Sequence, residues 1–223
     1  MATERERGPH APEGPDGTRD LYPRILAATR AWVERAVIGL NLCPFAKGPQ
    51  AQGRVRYVLS TAANTDTLLA DLGTQAKALV DVPAECLETT LLIHPHVLGD
   101  FGDYNAFLDE ADALIEALGL RGTLQVASFH PDYCFAGARA SDLGNATNRS
   151  PYPLLHLLRE ASVARAVAAI ADPATVYAAN LATLDRLGAA GWAALQHQCA
   201  ADGEAALGND DEHHETRAQS GLG

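Results

Sequence analysis

The sequence predicts a single α/β domain with a small, mainly parallel β-sheet covered by helices. Short segments with strand patterning alternate with longer segments of helical periodicity, an order typical of right-handed βαβ units. Two of the predicted strands end in the same His-Pro dipeptide, and a length of 223 residues suits one domain. A ferredoxin-like α+β sandwich is the alternative if a fourth strand forms near residues 97–98.

The βαβαβ elements follow from periodicity and from their end signals. They are, in order, a helix over residues 22–38, a strand over 55–59, a helix from 64 or 65, a buried strand over 89–94, a helix from 103 and a strand over 123–129. Gly39 gives the first helix a stop signal. Asn64 or Thr65 can cap the second helix, and Asp103 can cap the third.

A long loop and two tails complete the predicted organisation. Residues 131–152 have no helical or strand periodicity, and a loop of this length in a compact domain is usually functional or disordered. Helices are predicted from about residue 153 and from Pro173. Residues 1–20 and the acidic residues 199–223 are expected to be disordered, which leaves residues 21–198 as the α/β domain.

Composition excludes several classes of function. The net charge is -11 and no basic stripe is present, so we expect no nucleic-acid partner. No apolar run is long enough to span a membrane, and the N-terminus lacks a secretory signal. The four cysteines form no CxxC pair, which favours a reducing cytoplasm with free thiols. The composition does not indicate an oligomeric state.

The two His-Pro strand ends predict the position of a site. If the strands that end at His94 and His130 are parallel neighbours, both imidazoles lie at the carboxyl edge of the sheet, where open α/β sheets bind ligands. Cys43 follows the first helix and could reach the same edge. One thiolate and two imidazoles would suit zinc or iron and leave a coordination position open. The simpler interpretation of each histidine is a group that bonds backbone carbonyls.

Other residues could take part in a metal site or replace it. His96, His156, Asp100, Asp103 and Asp132 are alternative ligands. Without a metal, Cys43 could act as a nucleophile with His130 as base and Asp132 or Asn145 as the orienting group. Pro44 and the position after a helix disfavour a reactive thiolate, and burial as a small apolar residue is the third interpretation of Cys43.

The long loop carries a candidate anion site. Asn145, Asn148 and Arg149 precede a predicted helix start and could orient a carboxylate or phosphate of a small-molecule substrate, with Tyr104 nearby. The alternative is a loop whose polar side chains satisfy its own backbone. The sequence has neither a glycine-rich phosphate loop nor a dinucleotide fingerprint, so we expect no nucleotide cofactor.

Three motifs carry a resemblance to a known family. They are GLNLCPFA at residues 39–46, SFHPDY at 128–133 and NRSPYPLLHLLRE at 148–160. Together they resemble a family of bacterial proteins known as domain of unknown function 1415, over most of residues 24–190. The resemblance implies no particular reaction. The sequence therefore leaves three hypotheses: a small-molecule enzyme that is metal-dependent, with hydrolase and oxidoreductase chemistry both open; a metal-free cysteine enzyme; or a non-catalytic binding or scaffold protein.

Overall fold

The structure is a computed structural model that describes residues 17–170 and 172–219. Its elements are α1 (Gly17–Trp32), which continues as a π-helix (Val33–Ile38), α2 (Lys47–Ala51), β1 (Val55–Leu59), α3 (Thr65–Val80), β2 (Thr89–Ile93), α4 (Phe101–Ala117), β3 (Leu124–Phe129), a 3₁₀ helix (Leu143–Asn148), β4 (Leu154–Arg159), α5 (Glu160–Ala168) and α6 (Pro173–Gln219). Among the described residues, no helix combines the length and the apolarity that crossing a membrane requires.

The α/β class is confirmed, with one open sheet of four strands and helices on both faces. The strand order is β1-β2-β4-β3. β1 and β2 pair in parallel, whereas β4 is antiparallel to both β2 and β3. β1, β2 and β3 therefore point the same way, but only one of the three pairings is parallel. The prediction of a mainly parallel sheet was wrong in this respect, because a fourth strand lies between two strands of the βαβαβ series.

That fourth strand is the main correction to the predicted elements. The segment Leu154–Arg159 was predicted as the start of a helix, but it forms β4 in the interior of the sheet, and α5 begins only at Glu160. A run of apolar residues buried on both faces of a sheet has no period-2 alternation, so periodicity alone does not separate it from a buried helix. Residues 97–98, the predicted position of a fourth strand, lie in the loop between β2 and α4, where Leu98 has a φ of 58°.

The predicted N-terminal caps of the helices were partly right. Asn64 caps α3, with its side chain accepting a hydrogen bond from Thr67 N. Asp100 caps α4 by accepting from the N–H groups of Gly102 and Asp103, so the predicted cap at Asp103 was three residues too late. Both side chains satisfy N–H groups that the first turn of a helix leaves free.

The chain termini differ from the prediction at the C-terminal side. The N-terminal tail was predicted over residues 1–20, and residues 1–16 of it lie outside the described residues. α6 continues past residue 198, where the acidic tail was predicted to begin, and Cys199 is buried. Asp202 pairs with Arg35 at 2.8 Å and Glu204 pairs with Arg24 at 2.7 Å, so this part of α6 packs on the first helix.

The sheet has two differently covered faces. The first, named the α3/α4 face, packs Leu92 and Leu155 against α3 and α4 in one hydrophobic core. The second, named the α1 face, packs Ile93 and Leu154 against α1 and α6 in another core. Because neighbouring residues in a strand point to opposite faces, each strand contributes to both cores. Only part of the α1 face is covered by helices, and the remainder borders a cavity.

Candidate functional site

His94 and His130 lie at the same edge of the sheet, although their strands are not neighbours. β2 and β3 point the same way, so both strand ends reach one edge, but β4 separates them. The ring of Tyr104 contacts both imidazoles, with centroid distances of 5.8 Å to His94 and 5.1 Å to His130. All three side chains are fully buried on the α3/α4 face.

The hydrogen bonds of these groups are with the backbone. His94 Nδ1 lies 3.1 Å from Val97 O, and His130 Nε2 lies 3.2 Å from Leu98 O. His130 Nδ1 accepts from Asp132 N at 3.0 Å, so Nε2 carries the proton of that neutral ring. Burial lowers the pKa of His94 to about 4 and also lowers the pKa of His130. Both imidazoles are neutral groups that hold the turn after β2.

Tyr104 has a comparable role between two strands. Its hydroxyl donates to Leu154 O at 2.8 Å and accepts from Phe129 N at 3.0 Å. It thereby ties the start of β4 to the end of β3. Burial raises the pKa of this hydroxyl, which therefore remains protonated at neutral pH.

The structure does not bring Cys43 together with the two histidines. Cys43 borders the cavity on the α1 face, whereas the imidazoles belong to the α3/α4 face. The alternation along β2 explains this placement, because Ile93 packs into the α1-face core and the next residue, His94, points away from it. Among the described residues, no group of three or more His, Cys, Asp or Glu side chains is placed to hold a metal ion. The zinc or iron site stays a prediction that no observation tests.

The polar side chains of the long loop mainly satisfy the loop itself. Asn145 and Arg149 each make two hydrogen bonds to backbone groups of the loop, and Asn148 donates to the backbone at the end of β3. The backbone partners are those of Ser128, Tyr133, Phe135, Arg139 and Ala140. Arg149 also borders a smaller cavity of about 230 Å³, together with Ser150 and Tyr152. Its anion-binding role stays a prediction.

The main candidate site is a cavity of about 590 Å³ on the α1 face. Its floor is the sheet, where Leu91, Ala127 and Leu158 are among the lining residues. Trp32 and Val37 from the first helix, Phe45 and Pro49 from the segment after it, and Val163 and Ala166 of α5 form the walls. The size and the mainly apolar lining match those of small-molecule sites, which bury an apolar body and fix it with a few polar groups.

His156 supplies a polar group in the floor of this cavity. It lies in the middle of β4, opposite Leu91 of β2 and Ala127 of β3. Its Nε2 is 2.6 Å from Thr89 Oγ1, and that hydroxyl donates its hydrogen to Leu157 O. Because a hydroxyl has a single hydrogen, Nε2 must carry the ring proton and donate it to Thr89.

The other ring nitrogen of His156 is available to accept a hydrogen bond. Nδ1 is unprotonated and has no hydrogen-bond partner among the described residues. It is not fully enclosed by protein atoms. Burial lowers the pKa of His156 to about 4, so the ring is neutral at pH 7. The floor of the cavity therefore presents a hydrogen-bond acceptor with a fixed orientation.

Cys43 borders the same cavity as His156. Its backbone N–H donates to Val37 O at 3.3 Å, which holds the segment against the end of the π-helix. Burial raises the pKa of the thiol, so Cys43 is protonated at neutral pH. The sulfur acts here as a small, polarisable part of the lining.

No site was predicted at His156 from the sequence, and this residue was named only as an alternative metal ligand. The wrong helix prediction hid its position. In that helix Leu154, Leu157 and Leu158 would form the buried face, and residue 156 would lie on the opposite side. A usable signal was present: one histidine stands in the centre of the run Leu-Leu-His-Leu-Leu, residues 154–158. A polar residue in such a run requires a partner when buried, and Thr89 is that partner.

A family model described as "Protein of unknown function (DUF1415)" matches residues 24–194. The chain belongs to this family. The resemblance carried by the three sequence motifs is thereby confirmed. All three motifs contribute to the cavity on the α1 face, through Cys43 and Phe45, through Phe129, and through His156.

One relative among curated proteins is tylactone mycaminosyltransferase of Streptomyces fradiae. It is 31% identical to this chain over 133 residues, which are 60% of this chain and 26% of that protein. The chain thus spans about a quarter of that relative. No solved structure matches the chain significantly.

Proposed function

We propose that this protein binds a small, mainly apolar molecule in the cavity on the α1 face, and that Nδ1 of His156 accepts a hydrogen bond from it. The observation that carries this proposal is an apolar cavity of about 590 Å³ with a neutral imidazole in its floor. A hydroxyl or amine on the molecule would match the open acceptor and fix its orientation. The free energy of binding would come mainly from the apolar surface that the ligand buries.

The helix α5 supports the same proposal. None of its nine residues is buried, although Val163 and Ala166 line the cavity. A surface helix normally packs an apolar face against the core. A ligand in the cavity would give this face its missing partner and join α5 to the sheet.

Binding of a neutral fluorescent probe tests the proposal. N-phenyl-1-naphthylamine has an apolar body and one N–H donor, and we expect one saturable site per chain. Trp32 lines the cavity and the chain has two tryptophans, so a Trp192→Phe background leaves Trp32 as the sole intrinsic reporter. Quenching of Trp32 fluorescence with the same saturation curve would locate the probe.

Filling the cavity provides the control. Ala127 lies opposite His156 on the floor, and Ala127→Trp should weaken probe binding by about tenfold or more. Ala166→Trp fills the opposite wall and should act likewise. Ala113→Trp, at an exposed position of α4, is the matched control and should leave binding unchanged. Equal affinities in all three folded variants would remove the proposal.

A metal-free cysteine enzyme is the second candidate, and the shared cavity of Cys43 and His156 favours it. The opposed pKa shifts work against proton transfer from the thiol to the imidazole, because burial stabilises the neutral form of both. Labelling with iodoacetamide at pH 7 separates the two functions. Cys86 is exposed and serves as the reference thiol. A Cys43 that reacts faster than Cys86, and loses this advantage in His156→Leu, would indicate catalysis; a slower Cys43 favours simple binding.

A further inference from the structure

The charged residues around the cavity lie together at one edge of the sheet. Arg54 precedes β1, Glu88 precedes β2 and Arg159 ends β4, and the strand register places all three at the same edge. Arg165 of α5, the helix that follows β4, also lines the cavity. The lining thus holds three arginines and one glutamate in a chain whose net charge is -11.

Among the residues that the structure describes, only one of these arginines has a carboxylate partner. Arg54 forms an ion pair with Glu88 at 3.2 Å. Arg159 donates to the carbonyls of Leu79, Val82 and Leu87, which are neutral acceptors. Arg165 Nη2 donates to Ser162 Oγ at 2.8 Å. Within the described part of the chain, neither Arg159 nor Arg165 has a carboxylate within ion-pair distance, so their positive charge is not balanced locally.

We propose that the molecule bound in this cavity is an anion with an apolar body, such as an aromatic or aliphatic acid, and that its acidic group lies next to Arg165. This inference rests on the proposed function. The cavity is amphipathic, with apolar side chains over the floor and unbalanced guanidinium groups at one edge. A guanidinium binds carboxylates and sulfonates through paired hydrogen bonds.

Arg165 is better suited than Arg159 to contact the anion. The guanidinium of Arg159 is committed to three backbone carbonyls around the end of α3 and anchors that segment to β4. Arg165 is exposed, and in the described part of the chain its side chain donates to one neutral group, the hydroxyl of Ser162 on the preceding turn. It can leave this hydroxyl for an acidic group without exposing a buried polar atom.

A pair of matched probes tests the ligand class. 1-Anilinonaphthalene-8-sulfonate is the anionic counterpart of N-phenyl-1-naphthylamine, with a sulfonate added to the same ring skeleton. Arg165→Gln should weaken binding of the sulfonate about threefold, and Arg165→Glu more strongly, while the affinity for the neutral probe stays unchanged. Higher salt should weaken binding of the sulfonate alone, because it screens the attraction to Arg165.

Arg186 is the matched control for Arg165. It is exposed on α6 and donates to the hydroxyl of Thr183 three residues earlier, as Arg165 does to Ser162. Arg186→Glu should affect neither probe, whereas Arg165→Lys should keep most of the affinity for the sulfonate. If Arg165→Glu affects both probes equally, or affects neither, the proposal of an anionic ligand is overturned. Binding of the neutral probe would in that case still support the proposed function. Failure of both probes to bind the wild-type protein would overturn both proposals.

Discussion

His94 is buried on one face of the sheet, whereas His156 lies on the other face and is partly exposed. His94 Nδ1 lies against Val97 O, while its Nε2 is buried and has no partner among the described residues. His156 bonds Thr89 and keeps Nδ1 available to the cavity. The pKa of each ring is lowered to about 4 by burial, against an ordinary value of 6.5. Only the second ring combines a neutral acceptor with room for a ligand.

These shifts predict a loss of stability on mild acidification. Between pH 6.5 and 4 the unfolded chain binds protons at both histidines while the folded protein does not, so the free energy of unfolding falls as the pH falls. Each histidine should contribute a loss of about 2 kcal/mol between pH 7 and pH 5. Urea unfolding should show a smaller loss in His156→Leu, in which the hydroxyl of Thr89 keeps its bond to Leu157 O. An unchanged pH dependence would contradict the lowered pKa of His156.

Tyr104 gives a second prediction at this scale. Tyr104→Phe removes the hydroxyl that joins Leu154 O and Phe129 N and leaves two backbone groups without that partner. We expect the free energy of unfolding to fall by about 1–3 kcal/mol, measured by urea titration. Tyr177→Phe is the control, because the Tyr177 side chain is 63% exposed and its change should be near zero. Equal stabilities of the two variants would show that the hydroxyl of Tyr104 does not stabilise the junction of the strands.

The β4–α5 segment decides the character of the site at the level of elements. β4 supplies His156 to the floor of the cavity, and α5 turns back over the same face to form one wall. Arg159 at their junction anchors the segment to carbonyls around the end of α3. These 15 consecutive residues, 154–168, thus contribute to the floor, to one wall and to the charged edge of the cavity.

Two valines of α5 test whether this helix forms part of the binding site. Val163 lines the cavity, whereas Val167, one turn later, is 42% exposed and does not line it. Val163→Asp should weaken binding of N-phenyl-1-naphthylamine by at least about fivefold, because it places a charge against the apolar body of the probe. Val167→Asp should leave the affinity unchanged. Similar affinities of the two variants would remove α5 from the site.

At the scale of the whole molecule, the two ends of the described chain hold each other in place. α1 packs against α6 on the α1 face, and the ion pairs Arg24–Glu204 and Arg35–Asp202 join the two helices. Gly203 lies where the two helices pack closely, and an added Cβ there would stand 2.9 Å from Arg24 O and 3.1 Å from Ala28 Cβ. Trp32 on α1 lines the cavity, so this packing also positions one of its walls.

Gly203→Val should therefore weaken the packing of α6 on α1. The side chain would meet the backbone of α1, which yields little, and we expect the free energy of unfolding to fall by about 1–3 kcal/mol. Ala201→Val, at an exposed position two residues earlier, has the same β-branched residue without the clash. A chemical denaturation curve for each variant measures the difference. If Gly203→Val is no less stable than Ala201→Val, the close approach of the helices does not contribute to stability.

Local sequence determined much of this fold. β1 was predicted at its observed bounds, β2 and β3 to within one residue, and the cap of α3 at Asn64. These features depend on side-chain alternation, helical periodicity and turn chemistry, which act over a few residues. The motif at residues 128–133 likewise located His130 at a strand end, and the sequence correctly placed His94 and His130 at one edge of the sheet.

Tertiary structure alone decided the identity of β4 and, with it, the candidate site. A run such as Leu154–Arg159 satisfies either a helix or a buried strand, and only its hydrogen-bonded neighbours β2 and β3 make it a strand. Once β4 lies between them, His94 and His130 both pack against Tyr104 on the α3/α4 face, while His156 lines the cavity that Cys43 borders. Which face a side chain occupies depends on pairing between distant segments, and a local pattern carries no information about that pairing.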